Sequence, residues 1–100
     1  MQFSELKPGD FLYYKNGPDE IKKLIIKDIA IAGLLNRKIT YYFIKPELVD
    51  SIREDAGRMA ALPTRTVIVP SKEEICMVMF GQLLLFATDS SIIEQFEKQQ

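Results

Sequence analysis

Glu20-Ile21-Lys22-Lys23-Leu24-Ile25-Ile26-Lys27-Asp28-Ile29-Ala30-Ile31-Ala32 is the stretch whose reading decides the fold. Pro18, Asp19 and Glu20 would make a good first helical turn, with the acids at the positive end of the dipole. Yet five isoleucines stand in the run, and β-branched side chains favour a pleated sheet. A helix begun at Pro18 would also set Asp28 in the middle of an apolar face of Ile21, Leu24, Ile25 and Ala32. The strand is the preferred reading of 20–32, and the helix is its alternative.

The neighbours on each side fit a strand. Phe11 to Lys15 is aromatic-rich and lies between two turn signals, Lys7-Pro8-Gly9-Asp10 and Asn16-Gly17-Pro18-Asp19. Gly33 to Lys38 reads as a connection, and Ile39 to Ile44 as a third strand that Pro46 ends. Between Pro46 and Leu62 the period changes. Leu48, Ile52, Ala56 and Met59 recur at helical spacing, which predicts a short helix that frays at Gly57. Thr66 to Val69 reads as another strand, stopped by Pro70.

Ser71-Lys72-Glu73-Glu74 has the form of a capping box and would start a helix across 72–80. Ile75 to Phe80 has no polar face, however, and Gly81-Gln82 separates it from a second apolar run, Leu83 to Phe86. That arrangement favours a hairpin with a two-residue loop, the helix being the alternative. Thr88 or Asp89 then caps a final helix in which Ile92, Ile93 and Phe96 face inward. The expected fold over 1–100 is one α+β domain: a small, strongly bent, mainly antiparallel sheet with a short middle helix and a C-terminal helix.

Composition narrows the function. The chain has 100 residues, 47 % of them apolar, enough to fill one modest core. Its net charge is −1, so no overall field draws it to nucleic acid or an anionic membrane. No apolar run reaches the ~18 residues needed to cross a bilayer. The opening Met1 to Glu5 lacks the basic and then apolar stretches of a secretory signal. A single cysteine, Cys76, forms no internal disulfide and fits a reducing compartment. A cytoplasmic protein is expected, with Cys76 inert in its apolar run.

The chain contains no histidine, the commonest general base and zinc ligand, and has no phosphate-binding loop, dinucleotide fingerprint or nucleophile elbow. The adjacent acids Glu54-Asp55 and Glu73-Glu74 read as solvated rather than catalytic. Neither a catalytic residue, a metal site nor a cofactor is therefore expected.

What remains is binding. Residues 37–72 carry seven Lys and Arg against four acids, and every arginine falls between positions 37 and 65. Arg53, Arg58 and Arg65, with Lys72, are candidates to hold an anion, because the guanidinium fork matches phosphate or carboxylate oxygens two at a time. The simpler alternative pairs Arg53 and Arg58 with Asp50, Glu54 and Asp55 one helical turn away. In Tyr13-Tyr14 and Tyr41-Tyr42, strand alternation sends one ring of each pair inward and one outward. Outward Tyr14 and Tyr42, near Arg37 and Lys38, could form a stacking surface; cross-strand aromatics that only stabilise a sheet are the plainer account. Ile75 to Ala87, almost wholly apolar, is either the centre of the core or in part a homodimer surface.

Lys7-Pro8-Gly9-Asp10-Phe11-Leu12-Tyr13-Tyr14, the Ile-rich strand and Ile39 to Phe43 together resemble the opening of small SH3-like barrels. Many stand-alone members of that group, from bacteria and their phages, have no assigned function, and the resemblance is compatible with an accessory protein of a phage or mobile element. Leu6-Lys7-Pro8-Gly9-Asp10 is also similar to a segment of papain-like NlpC/P60 peptidases, whose Cys–His pair this histidine-free chain lacks. The expected function is a non-catalytic binding module, a small adaptor or inhibitor acting on a macromolecular partner, most simply a protein. The alternative is a binder of an anionic small molecule, nucleotide or RNA through the arginine group.

Overall fold

The structure, a computed structural model, describes residues 2–72 and 74–99, with all their side chains except those of Pro46 and Ala56. Six strands form one antiparallel sheet: β1 (Phe11–Asn16), β2 (Lys22–Ile31), β3 (Asn36–Tyr42), β4 (Thr64–Pro70), β5 (Met77–Phe80) and β6 (Leu84–Ala87). Their spatial order is β4-β3-β2-β1-β6-β5. Residues 20–32 are thus a strand for most of their length, as their isoleucines require.

β2 is where the sheet bends. Its first half pairs with β1, from Tyr14↔Lys22 to Phe11↔Ile25, and its second half pairs only with β3. Between them, at Lys27, the register with β3 shifts by one residue. An extra residue in one strand of an antiparallel pair bends it and sharpens its twist. The Pro8-Gly9-Asp10 turn locks the same corner, Ile26 N–H donating to Asp10 O (2.9 Å) and Gly9 N–H to Ile26 O (2.8 Å).

The result is a strongly curled half-barrel. Two strands lie between β3 and β6, so a flat sheet would hold those two about 14 Å apart. Across the hollow, the Tyr41 and Phe86 ring centroids are only 6.3 Å apart. The hollow is filled by Leu12, Leu24, Ile26, Ile39, Val69 and Phe86, with Phe3 and Leu6 from the N-terminal segment. A single 3-10 turn, Phe3–Glu5, delivers the last two, and Phe3 N–H donates to Ile75 O at 3.0 Å.

Two helical layers cover part of the convex face. Helices α1 (Val49–Arg53) and α2 (Ala56–Met59) form one, with Val49 packed on Ile25 and Tyr42. Helix α3 (Ser90–Lys98) forms the other, with Ile93 fully buried near Leu85 and Ala87, and Ile92 and Phe96 at its margin. Among the described residues no helix is long and apolar enough to cross a membrane.

Several local expectations are corrected. The middle helix breaks at Glu54-Asp55 rather than at Gly57, because the Asp55 carboxylate accepts from Arg58 N–H (3.1 Å) and starts a new turn. Val49 replaces Leu48 as its anchor, since a 3-10 turn over Pro46–Leu48 rotates Leu48 into solvent. β3 begins at Asn36, β4 extends over Thr64–Pro70, and the final hairpin loop has three residues, Gly81 to Leu83, as the Phe80↔Leu84 pair requires. Pro70 is tolerated inside β4 because that strand is an edge. Over 72–80 the hairpin stands: Glu74 has φ 73°, a left-handed conformation that no helix could run through. Glu73 of the supposed capping box lies outside the described residues.

Leu12, with no solvent exposure, sits at the centre of the hollow. Leu12→Ala should lower the unfolding free energy by about 2–5 kcal/mol, measured as a fall in the urea midpoint.

Asp89 caps α3. Hydrogen bonds from the Ser91 backbone N–H (3.0 Å) and then the Ser91 hydroxyl (3.1 Å) hold its carboxyl below the usual range. A carboxyl whose pKa is lower in the folded than in the unfolded chain stabilises the fold above its unfolded pKa. That contribution is lost as pH falls through the folded value. Asp89→Ala should therefore cost about 1 kcal/mol at neutral pH. In thermal melts the gap to the wild type should close as the solution is acidified below the carboxylate range.

Candidate binding cleft at one end of the half-barrel

Strand parity decides which side chains can meet. Tyr14, paired with Lys22 on β2 and Phe86 on β6, points into the hollow, as does Tyr41, paired with Arg65 on β4. Tyr13 and Tyr42 point to the convex face, Tyr13 toward α3 and Tyr42 beneath α1. Tyr14 and Tyr42 therefore lie on opposite faces and form no common surface. All four rings are at least half buried.

The arginines are likewise separated. Arg53 lies on the convex side, its guanidinium 4.6 Å from the Phe11 ring centroid, with Lys23 at the same distance from that ring. Arg58 is exposed on α2. Arg65 stands on the concave side, 3.6 Å from the Phe43 centroid. Arg37 pairs in register with Val69, near the opposite end of β4, and Lys72 follows that end. At 3.3 Å per residue, Pro70 is already about 17 Å along the strand from Arg65.

One member of the expected group, Arg65, opens onto a cleft together with Tyr14. The cleft, about 310 Å³, lies at the end of the half-barrel where β1 and β3 finish and β2, β4 and β6 begin. Tyr14 and Phe86, which stack at 5.8 Å with 24° between their planes, both border it, Phe86 being almost wholly buried. Phe43, 42 % exposed and carrying Arg65 on its face, borders it as well. Lys22, whose Nζ is 5.9 Å from the Tyr14 centroid, stands at the rim with Asn16 and Asp19.

The electrostatics of the cleft are one-sided. Among the described residues, the ion pairs are Lys15–Glu97 and Lys23–Asp50, so Lys22 and Arg65 have no carboxylate partner. Burial pushes the Tyr41 hydroxyl above its usual pKa, against the pull of Arg65, and Tyr14 adds to the rise. At neutral pH Tyr41 keeps its proton and can donate. Lys22, Arg65 and the tyrosine hydroxyls thus offer donors on one small concavity, with Asp19 the one carboxylate lining it.

Lys22, Asp19, Asn16, Tyr41, Phe43 and Phe86 lie outside the residues singled out in the sequence. The hairpin register carried a signal for one: Lys22 lies two positions before buried Leu24 and so shares its face. The others meet only when the sheet curls.

Ile75 to Ala87 is divided by the fold. β6 lies between β1 and β5 and buries Leu85, Phe86 and Ala87, whereas β5 is an edge, and Met79, Phe80 and Leu83 are exposed. Cys76 is half buried and unbridged just before β5.

Fold and cleft together define a small curled antiparallel β half-barrel with a basic, aromatic-walled concavity. Comparison with protein-family models, curated proteins and solved structures finds no match to this chain.

Because Arg65 holds the Tyr41 pKa down against burial, Arg65→Ala should raise it further. A tyrosinate absorbance titration near 295 nm, with Tyr41→Phe to assign the step, would show the shift to higher pH. No shift would place Arg65 outside electrostatic reach of the hydroxyl.

Proposed function

We propose that this protein is a non-catalytic binding module, a small adaptor or inhibitor that acts on a macromolecular partner and grips an anionic group of it in the concave cleft. The observation that carries the reading is Lys22 and Arg65, two cations that have no carboxylate partner among the described residues and that line one hollow with aromatic side chains. Preformed donors around a concavity of about 310 Å³ suit binding of a small planar or oxyanionic group. The non-catalytic part is supported by how the acids are used: Asp55 and Asp89 cap helices, Asp50 pairs with Lys23, and Glu54 is solvated. Small SH3-like barrels remain the comparison for the chain, and the curled antiparallel sheet supports it. A reducing, cytoplasmic setting fits the single unbridged cysteine.

A polyanion without aromatic groups tests the cleft alone. Tripolyphosphate titrated into 15N-labelled protein should shift the amides of Tyr14, Lys22, Tyr41 and Arg65, and the Lys22→Ala/Arg65→Ala variant should lose most of that response. Shifts centred on Arg53 and Arg58 instead would move the site to the convex face. A turnover assay across hydrolase and transferase substrates that a single acidic substitution abolishes would overturn the non-catalytic reading.

A further inference from the structure

Resting on that reading of the cleft, we infer that its ligand is a nucleoside phosphate whose base carries an exocyclic amino group. The same chemistry is presented by a free nucleotide and by one residue of a single strand.

Three features of the cleft require different parts of such a ligand. Lys22 and Arg65 are point and fork donors for a phosphate. Tyr14 and Phe43, the latter with Arg65 laid against its ring, line the same cleft, so a planar ring that enters it meets aromatic and guanidinium surface. Base–aromatic stacking of this kind is tolerant of sequence and needs no deep pocket.

Asp19 separates the ligand classes. Among the described residues it is in no ion pair with Lys22 or Arg65, so it stands as an acceptor that calls for a donor on the ligand, which a glutamate side chain lacks. It is suited to accept from an exocyclic amino group at the base edge, as carboxylates do from cytosine N4, and thymine has no such group. Asn16, at the same rim, can donate to a ring nitrogen or carbonyl. Phosphate donors, a stacking slot and an edge acceptor thus line one concavity drawn from β1 to β4 and β6.

Only two cations line the site and the chain's net charge is −1, so affinity rests more on stacking than on counterion release. For one or two phosphates contacted, the slope of log K against log salt should lie at about −0.7 to −1.4. That is shallow for a nucleic-acid binder.

The test uses fluorescence anisotropy with 5′-labelled (dC)8, (rC)8 and (dT)8, competition by cytidine and thymidine 5′-monophosphates, and a labelled hexaglutamate peptide. The full chain is compared with Arg65→Ala, Tyr14→Leu, Asp19→Asn and a convex-face control, Lys38→Ala, each checked for an unchanged thermal midpoint. A variant that melts early is replaced by Arg65→Gln or Tyr14→Met. The expected result is binding of C-containing over T-containing ligands, lost roughly tenfold or more in Arg65→Ala and Tyr14→Leu. Asp19→Asn should erase the C-over-T preference, and Lys38→Ala should change nothing. A strand that binds much more tightly than the monophosphate identifies single-stranded nucleic acid as the source, and equal affinity per site identifies the free nucleotide. Binding of hexaglutamate alone, lost in Arg65→Ala, would overturn this inference while leaving the anion-gripping cleft intact. Binding of no probe at all would overturn both.

Discussion

The β-bulge at Lys27 is the constraint on which the rest of the structure depends. β2 must belong to two halves of the sheet at once, pairing with β1 through Ile25 and with β3 from Ile26 onward. A regular strand would hold those halves nearly coplanar, apart from ordinary twist. The extra residue bends it, and the concave side can then close over a single core instead of facing water. Leu24, Ile25 and Ile26, three consecutive buried residues, record the outcome: Leu24 and Ile26 fill the hollow while Ile25 packs under α1.

With the hollow filled and part of the convex face covered by helices, the aromatics divide between the convex layers and the cleft. Tyr42 is taken up by the layer beneath α1, and Tyr13 by the layer beneath α3. Tyr14, Tyr41 and Phe86 pack together in the hollow, but at its open end they also border the cleft. The same stacking that stabilises the curl thus also forms part of the cleft lining. Cations follow the same division. Lys23 and Arg53 lie over Phe11 and fasten the convex surface, where Lys23 also pairs with Asp50. Lys22, one position earlier, faces the cleft because adjacent strand residues point opposite ways.

Much of the architecture was legible. Turn chemistry at Pro8-Gly9-Asp10 and Asn16-Gly17, β-branching in 21–31 and the Asp89 cap are local signals, and each element appears where its residues place it. The departures also have local causes. Asp55 outcompetes Gly57 as the break because a carboxylate that accepts from an amide one turn ahead starts a helix. Leu48 and Val49 exchange roles because a tighter 3-10 turn precedes α1 and rotates the inward position by one residue.

The sequence by itself determined which segments extend and which coil, since those preferences reside in each residue and its nearest neighbours. It also determined that one side of each strand would be apolar. Which apolar side would face a hollow, and which helix would cover the other, only the tertiary structure decided. The cleft belongs to that second category. Arg65 and Lys22 are far apart in the chain and on strands that are not neighbours, and they share a concavity only because the bend at Lys27 brings the ends of several strands together. Convergence of that kind depends on pairing over long sequence separations, which no local pattern of residues encodes.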